Sequence, residues 1–470
     1  MSKDSAGEVT KKGRTLVLCF DGTSNEYDSD NTNVIKFFSL LKKDDFNEQL
    51  CYYQAGIGTF FNPGVVSPIF EWCAKILDQA IAWYLDHHVM DGYRFLMQNY
   101  RVGDKICVFG FSRGAYTARA LAGMLYKVGL LPRDNQEQIP FAYKLYKRED
   151  KEGVQLSSGF KQTFCQDVKI EFVGVWDTVS SVGVIMGKTL PFTNSNTAIK
   201  TFRHALALDE RRAKFRPNNY HYTAPTPQAA EADPQHASNA KGDPEASSPP
   251  GSGSGSDTDS SNKDKKNGLS IFQRLSPKLK CKGSKGSTRD SATLQAQPGD
   301  TNVLEVWFIG CHSDVGGGNV TDDVTSSVAN IPLRWMVREV ILSQCGIQFE
   351  VAALQRLAIP YVFPTLQLSS DGTVHKVGNE QPIADAMQPI HDALKSNPFW
   401  WLLEIIPLHY TWQDAQGVWH RTFSFNFGKG RDIRDEKPNF HSTVKVRMAD
   451  ASLKYKPRAK WTEGTEVYLD

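Results

Sequence analysis

Residues Gly110–Gly114 read Gly-Phe-Ser-Arg-Gly, directly after the apolar run Ile106, Cys107, Val108, Phe109 and directly before the small-residue pattern Ala115–Leu121. The first run suits a buried strand and the second a helix. The serine between them must then sit on a turn sharp enough to reverse the chain. Glycines two residues to either side remove the Cβ atoms that would collide in such a turn. This is the setting of a nucleophile elbow, with the Ser112 hydroxyl at its tip. A glycine-flanked loop serine is the plain alternative, and the strand before and helix after weigh against it.

The rest of an acyl-transfer site can be read downstream in matching positions. An α/β-hydrolase places nucleophile, acid and histidine in that chain order, each on a loop after a parallel strand, where open α/β sheets bind ligands. Ile170–Trp176 reads as a buried strand ending in Asp177. Val303–Gly310 reads as another, ending in Cys311, His312, Ser313 and Asp314 and followed by Gly316, Gly317 and Gly318. A serine hydroxyl is a weak nucleophile at neutral pH, so His312 is expected to take its proton while Asp177 fixes the imidazole tautomer and balances its charge. Backbone N–H groups must stabilise the oxyanion that forms. Arg113, next after the serine, is one candidate donor, and Gly22 or Thr23, after the apolar run Leu16–Phe20, is the other.

Neighbouring residues compete for parts in this site. Phe20–Thr23 is similar to the opening D-x-D-G-T of dehalogenase-type phosphatases, but Cys19 stands where their nucleophilic aspartate would be. Phosphoryl transfer through this run therefore lacks its carboxylate. Asp21 is either a turn residue or an organiser of the site. His204 also follows Asp177, yet Phe202–Phe215 has the apolar spacing of an amphipathic helix. A helical histidine is more often packed than catalytic, so the loop residue His312 is preferred. Asp314 is either an alternative orienting acid or a ligand of backbone amides in the glycine-rich turn, and the second is expected. One carboxylate beside one histidine is too few for a metal site, and no cofactor is expected.

Taken together, Leu18–Asn25, Thr32–Val34, Tyr53–Thr59, Gly103–Arg119, Gly174–Ser181, His204–Arg212 and Val306–Gly318 resemble blocks of a known α/β-hydrolase family. That family includes the phospholipase effectors of bacterial type VI secretion together with many fungal proteins. The likeness spans residues about 15–340, leaving out one insertion. It implies that Ser112, Asp177 and His312 are the triad and that lipid esters are the substrate class.

At 470 residues and 40% hydrophobic content the chain can enclose a large core. The expected fold is α/β, a mostly parallel sheet flanked by helices over 15–345, after a flexible amino terminus at 1–14. A disordered linker interrupts it at 224–300, and a carboxyl-terminal extension, 346–470, packs on its core. The linker is rich in Pro, Ser, Gly, Ala, Asp and Lys, with Phe272 its one aromatic residue, and cannot offset its ordering entropy. Its basic part, 263–289, mixes leucine, isoleucine and phenylalanine with Arg and Lys. A solvated linker is expected there, with peripheral contact to an anionic membrane as the other reading. Leu41–Met97 supplies helical material whose aromatic residues, Trp72 and Trp83 among them, are expected to pack in the core, a lid over an acyl pocket being the alternative. Pro398–Pro407 holds the adjacent pair Trp400 and Trp401 and is expected to be buried rather than lipid-facing. Leu408–Phe425 alternates around Asp414–Gly417 as a β-hairpin.

A net charge of +2 gives no field for nucleic acid. The eight cysteines fall mostly within apolar segments and read as reduced, buried residues. Met1–Arg14 has no apolar signal core, and no stretch reaches 18 uninterrupted apolar residues, so a cytoplasmic chain without a spanning helix is expected. The activity expected of it is hydrolysis of carboxylic esters, lipid esters above all. The alternative is a catalytically idle relative that binds lipid or a protein partner.

Overall fold

The computed structural model describes residues 13–22, 27–56, 85–179, 190–193, 196–220, 301–360, 381–413 and 419–470. The amino terminus to residue 12, Thr23, segment 57–84, linker 224–300 with its basic part 263–289, and turn 414–417 lie outside them.

Six strands come first: β1 (Thr15–Phe20), β2 (Gln49–Gln54), β3 (Lys105–Phe111), β4 (Ile170–Trp176), β5 (Ile199–Ala207) and β6 (Asn302–Phe308). An antiparallel hairpin, β7 (Leu408–Gln413) and β8 (Trp419–Ser424), follows where the sequence alternates. Two short strands, β9 (Asn439–His441) and β10 (Val467–Leu469), then return to the main sheet. That sheet runs β10-β9-β6-β5-β4-β3-β1-β2, and each of its pairings is parallel. The end of the carboxyl-terminal extension thus continues the sheet beyond β6.

A sheet covered on both faces needs apolar residues at successive positions, and its strands show it. All six residues of β1 are buried. Val17 and Cys19 enter one core layer with the helices Asn33–Leu40 and Asn330–Ser343; Leu16, Leu18 and Phe20 enter the other with Arg113–Val128, Ile139–Lys147 and Lys151–Phe164. Among the described residues no helix is long and apolar enough to cross a membrane.

Three expectations are overturned. Leu41–Met97 is not helical material throughout: Gln49–Gln54 forms β2, and its described helix begins only at residue 85. Phe202–Phe215 is not an amphipathic helix: its first part belongs to β5, where Lys200 is the only exposed residue, the chain bends at Leu208–Asp209, and only Ala213–Phe215 form a single 3-10 turn. A strand seated between β4 and β6 and covered above and below loses its two-residue period, and the remaining apolar spacing imitates a helix. Pro398–Pro407 is a pair of short helical turns with Phe399, Trp401, Leu402, Ile405 and Ile406 exposed, not a buried run.

From β1 the chain moves to the edge strand β2, then crosses back to β3 and proceeds outward through β4, β5 and β6 on the other side. The carboxyl ends of β1 and β3 therefore flank a topological switch point, the place where open α/β sheets form a ligand crevice.

Candidate active site

Ser112 follows β3 at this switch point. Its φ of 57° lies in the left-handed region, costly for a residue with a Cβ, and the helix Arg113–Val128 begins at the next residue. The two glycines make the turn possible. A Cβ on Gly110 would stand 2.5 Å from the Gly114 carbonyl oxygen, and one on Gly114 would stand 2.2 Å from the Phe20 carbonyl oxygen. The missing Cβ of Gly114 thus lets the start of the helix rest on the end of β1. The Ser112 N–H donates to Trp176 O at 3.1 Å, tying the elbow to β4.

Two residues from distant segments meet it. His312 Nε2 lies 2.8 Å from Ser112 Oγ, and His312 Nδ1 lies 2.5 Å from Asp177 Oδ2. Asp177 is fully buried and has a φ of 40°, so the acid also sits in a strained turn. Its N–H donates to Ala205 O, and Oδ1 accepts from Ala207 N at 3.0 Å. The imidazole is flanked by the rings of Phe111, at 4.7 Å between centroids, and Phe215, at 4.8 Å. The close seat against Phe111 needs Gly316, where a Cβ would meet that ring at 1.9 Å.

A further residue, unforeseen from the sequence, joins them. The Arg431 guanidinium clamps Asp177 with both arms, Nη1 to Oδ1 at 2.6 Å and Nη2 to Oδ2 at 2.9 Å. It also donates to Ala207 O and Phe215 O. Arg431 stands in the polar run Lys429–Lys437, which has no apolar period and no motif, and no sequence signal marks it. Burial by itself raises the Asp177 carboxyl, but the Arg431 charge and then the His312 hydrogen bond outweigh it and hold Asp177 well below the usual carboxylate range. An ionised carboxylate only accepts hydrogen bonds, so His312 Nδ1 carries the proton and Nε2 turns its lone pair to the Ser112 hydroxyl. Burial lowers the His312 pKa against the opposing pull of Asp177, which keeps the ring neutral at neutral pH. The Ser112 hydroxyl proton is thus directed at a neutral imidazole nitrogen.

The other expected residues have separate tasks. His204, in β5, holds the acid's loop from behind: Nδ1 pairs with Glu305 Oε1 at 2.7 Å, and Nε2 accepts from Thr178 N at 3.0 Å. It does not reach Ser112. Asp314 accepts from one amide of its own turn, Cys311 N, and from outside that turn from the His391 backbone and ring. Asp21 accepts from Gly22 N, from Thr32 Oγ1 and from Tyr53 Oη, and so organises the loop after β1. The Gly22 N–H is accordingly directed to Asp21 Oδ1 at 2.7 Å. Arg113 opens its helix, and burial lowers its guanidinium pKa to about 10. Glu210 binds Arg212 and accepts from His312 N at 3.2 Å, so the turn after β5 braces the histidine.

The chain matches one family model, described as T6SS, Phospholipase effector Tle1-like, catalytic domain, over residues 14–339. It is 28% identical over 544 residues to the uncharacterized protein YEL023C of Saccharomyces cerevisiae, covering 93% of this chain and 79% of that one. Among solved structures it is similar to the Tle1 effector bound to the VgrG spike of the type 6 secretion system, with 14% identity, a TM-score of 0.37 and coverage of 93% and 97%. It is also similar to an uncharacterized protein from Pseudomonas aeruginosa, with 16% identity and a TM-score of 0.33, covering 72% of this chain and only 47% of that one. Both structural likenesses are too distant to bear on function. The family match spans well over half of the sequence, and the chain belongs to the family of type VI secretion Tle1-like phospholipase effector catalytic domains.

Proposed function

We propose that the chain is a serine hydrolase that cleaves acyl esters of lipids through an acyl-enzyme on Ser112. Family membership supports lipid hydrolysis in general. The single observation that carries the mechanism is the unbroken hydrogen-bonded line Ser112 Oγ, His312 Nε2, His312 Nδ1, Asp177 Oδ2. In the first half-reaction the Ser112 oxygen attacks the ester carbonyl as its proton passes to His312 Nε2. The tetrahedral intermediate then expels the alcohol, which takes that proton. Water repeats the sequence to release the carboxylate and restore the serine. The imidazolium formed on the way is balanced by Asp177. The Arg113 N–H, at the first position of its helix and without an acceptor in it, is the oxyanion donor; Gly22 contributes only if its loop turns its N–H away from Asp21.

The test is a fluorophosphonate probe, which phosphonylates an activated serine, together with turnover of a soluble short-chain ester. Wild-type protein is expected to be labelled, and Ser112→Ala to lose both labelling and turnover by at least about a thousandfold. Undiminished labelling of Ser112→Ala would put the nucleophile elsewhere and end the proposal.

A further inference from the structure

The segment after Asn397 is unusual for its exposed apolar side chains. Phe399 is 49% exposed, Ile405 54% and Phe427 54%, and Trp401, Leu402, Ile406 and Phe425 are exposed as well. They form one face rather than scattered points. Phe427 N donates to Glu404 O at 3.2 Å, Gly428 N and Asn426 Nδ2 donate to Glu404 Oε2, and Gly428 lies against the Trp401 ring. Phe425 and Phe427 stack at 5.2 Å. Soluble proteins seldom present clustered large apolar groups to water without a partner for them.

The exposed charges along the segments that carry this face have one sign. Across 393–413 and 419–429 the charged residues are Lys395, Arg421, Lys429 and Glu404. The carboxylate is buried and held by backbone and amide donors, while the three cations are exposed. A second copy of this chain would bring the same positive charges and be repelled. An anionic surface with an apolar interior complements both features.

The face also joins the site. Trp400 packs edge-on against Phe215 at 5.5 Å, Phe215 packs against His312 at 4.8 Å, and the Arg212 guanidinium lies over both aromatic rings. Two ring contacts therefore separate the exposed face from the imidazole.

We propose that the face built from Phe399–Ile406 and Phe425–Phe427 docks on an anionic lipid–water interface and sets the site at the lipid surface. The inference rests on the lipid-ester reading for its purpose but not for its test. The experiment is co-sedimentation of Ser112→Ala, which leaves the lipid intact, with vesicles of phosphatidylcholine with and without phosphatidylserine. Binding to the anionic vesicles is expected, weakened at least tenfold in Ser112→Ala carrying Ile405→Asp and Phe427→Asp, and reduced severalfold by Lys429→Glu or by high salt. The same two aspartates on the Ser112 background should leave soluble-ester turnover within about twofold, which rules out misfolding as the cause. Unchanged vesicle binding in the aspartate variant would overturn the proposal. So would a wild-type chain that ignores both vesicles, including one that forms a dimer dissociated by Ile405→Asp. Vesicle binding by a chain that hydrolyses no ester would end the hydrolase reading and leave this one standing.

Discussion

The corners that carry Ser112 and Asp177 do similar geometric work by opposite means. Each follows a parallel strand, and each puts a non-glycine residue at positive φ, 57° and 40°. At the serine the strain is accommodated within five residues, because Gly110 and Gly114 leave room for the reversal and the helix begins at once. At the acid no glycine helps. Its loop is pinned by partners 26 to 254 positions away: His204 on the amide of Thr178, Ala207 and Arg431 on the carboxylate, and His312 beyond. A local device is visible to a reader of the sequence, whereas a device made of distant hydrogen bonds exists only once the chain has folded.

The sharpest way to break the comparison is to remove the space at the elbow. In Gly114→Ala the new methyl would stand 2.2 Å from Phe20 O and 2.4 Å from Asp21 O, backbone atoms of the buried end of β1 and of the residue after it. The helix start must lift away, and a displacement of about 1 Å at a nucleophile costs roughly a hundredfold in rate. The expected result is a hundredfold or greater fall in kcat/KM for a soluble ester with the fold retained by circular dichroism. Turnover within threefold of wild type would mean that the elbow is not held as tightly as its contacts imply.

Breaking the acid corner should cost less activity and more stability. Arg431→Gln leaves Asp177 buried with one charged partner fewer, and breaking a buried pair of this kind typically costs about 3–5 kcal/mol. The same change also alters the pH dependence. His312 has a folded pKa below its ordinary 6.5, so the neutral base survives, and the acid limb of kcat/KM falls below that value. Removing a nearby cation makes the imidazolium easier to form, and the limb is expected to move to higher pH. The stability dependence runs the same way. Asp177 is depressed below 3.8 when folded, so its contribution is present above the unfolded carboxylate value and is lost as pH falls through the folded one. Without Arg431 that loss starts at higher pH, and acid unfolding should come earlier. Arg431→Lys should recover little, since one ammonium cannot make the two-armed contact. An unmoved acid limb in a stable Arg431→Gln protein would leave the arginine a structural role only.

These two corners also explain what could be read in advance. That Ser112, Asp177 and His312 follow strands of one sheet and come together was legible because each ends an apolar run long enough to be a strand. The bond from Asp314 to Cys311 N was legible for a similar reason, as a short acid beside glycines has a nearby amide within reach, but its contacts to His391 were not. Arg431 was not, because nothing in a run of charged residues says which one turns inward; that is decided by how β5, β6 and the chain's end come together. The strand at His204 was misread since continuous burial erases the alternation that marks strands. Phe399–Ile406 was misassigned for the converse reason: apolar composition fixes what a segment can contact, not whether the folded chain supplies the contact.

The smallest effect, and the one that best separates positioning from chemistry, is at His204. Its ring links Glu305 to the amide next after Asp177, and burial lowers its pKa despite the Glu305 charge, so it acts as a neutral donor and acceptor. In His204→Ala the buried Thr178 amide is left unsatisfied, a loss of about 1–3 kcal/mol, while the half-buried Glu305 carboxylate keeps the Tyr220 N–H. The Asp177 carboxylate keeps Arg431, Ala207 and His312, so turnover should fall by less than about tenfold, where His312→Ala should lose at least about a thousandfold. Thermal denaturation and ester kinetics on the two variants, run side by side, check the pair of outcomes. Reversed magnitudes would make His204 the base, and the acid corner would then have to turn toward β5 to serve it. The fixed distances argue against such a turn: Asp177 is already held on both oxygens by an arginine that is itself bound to Ala207 O and Phe215 O, and no single substitution at His204 releases that clamp.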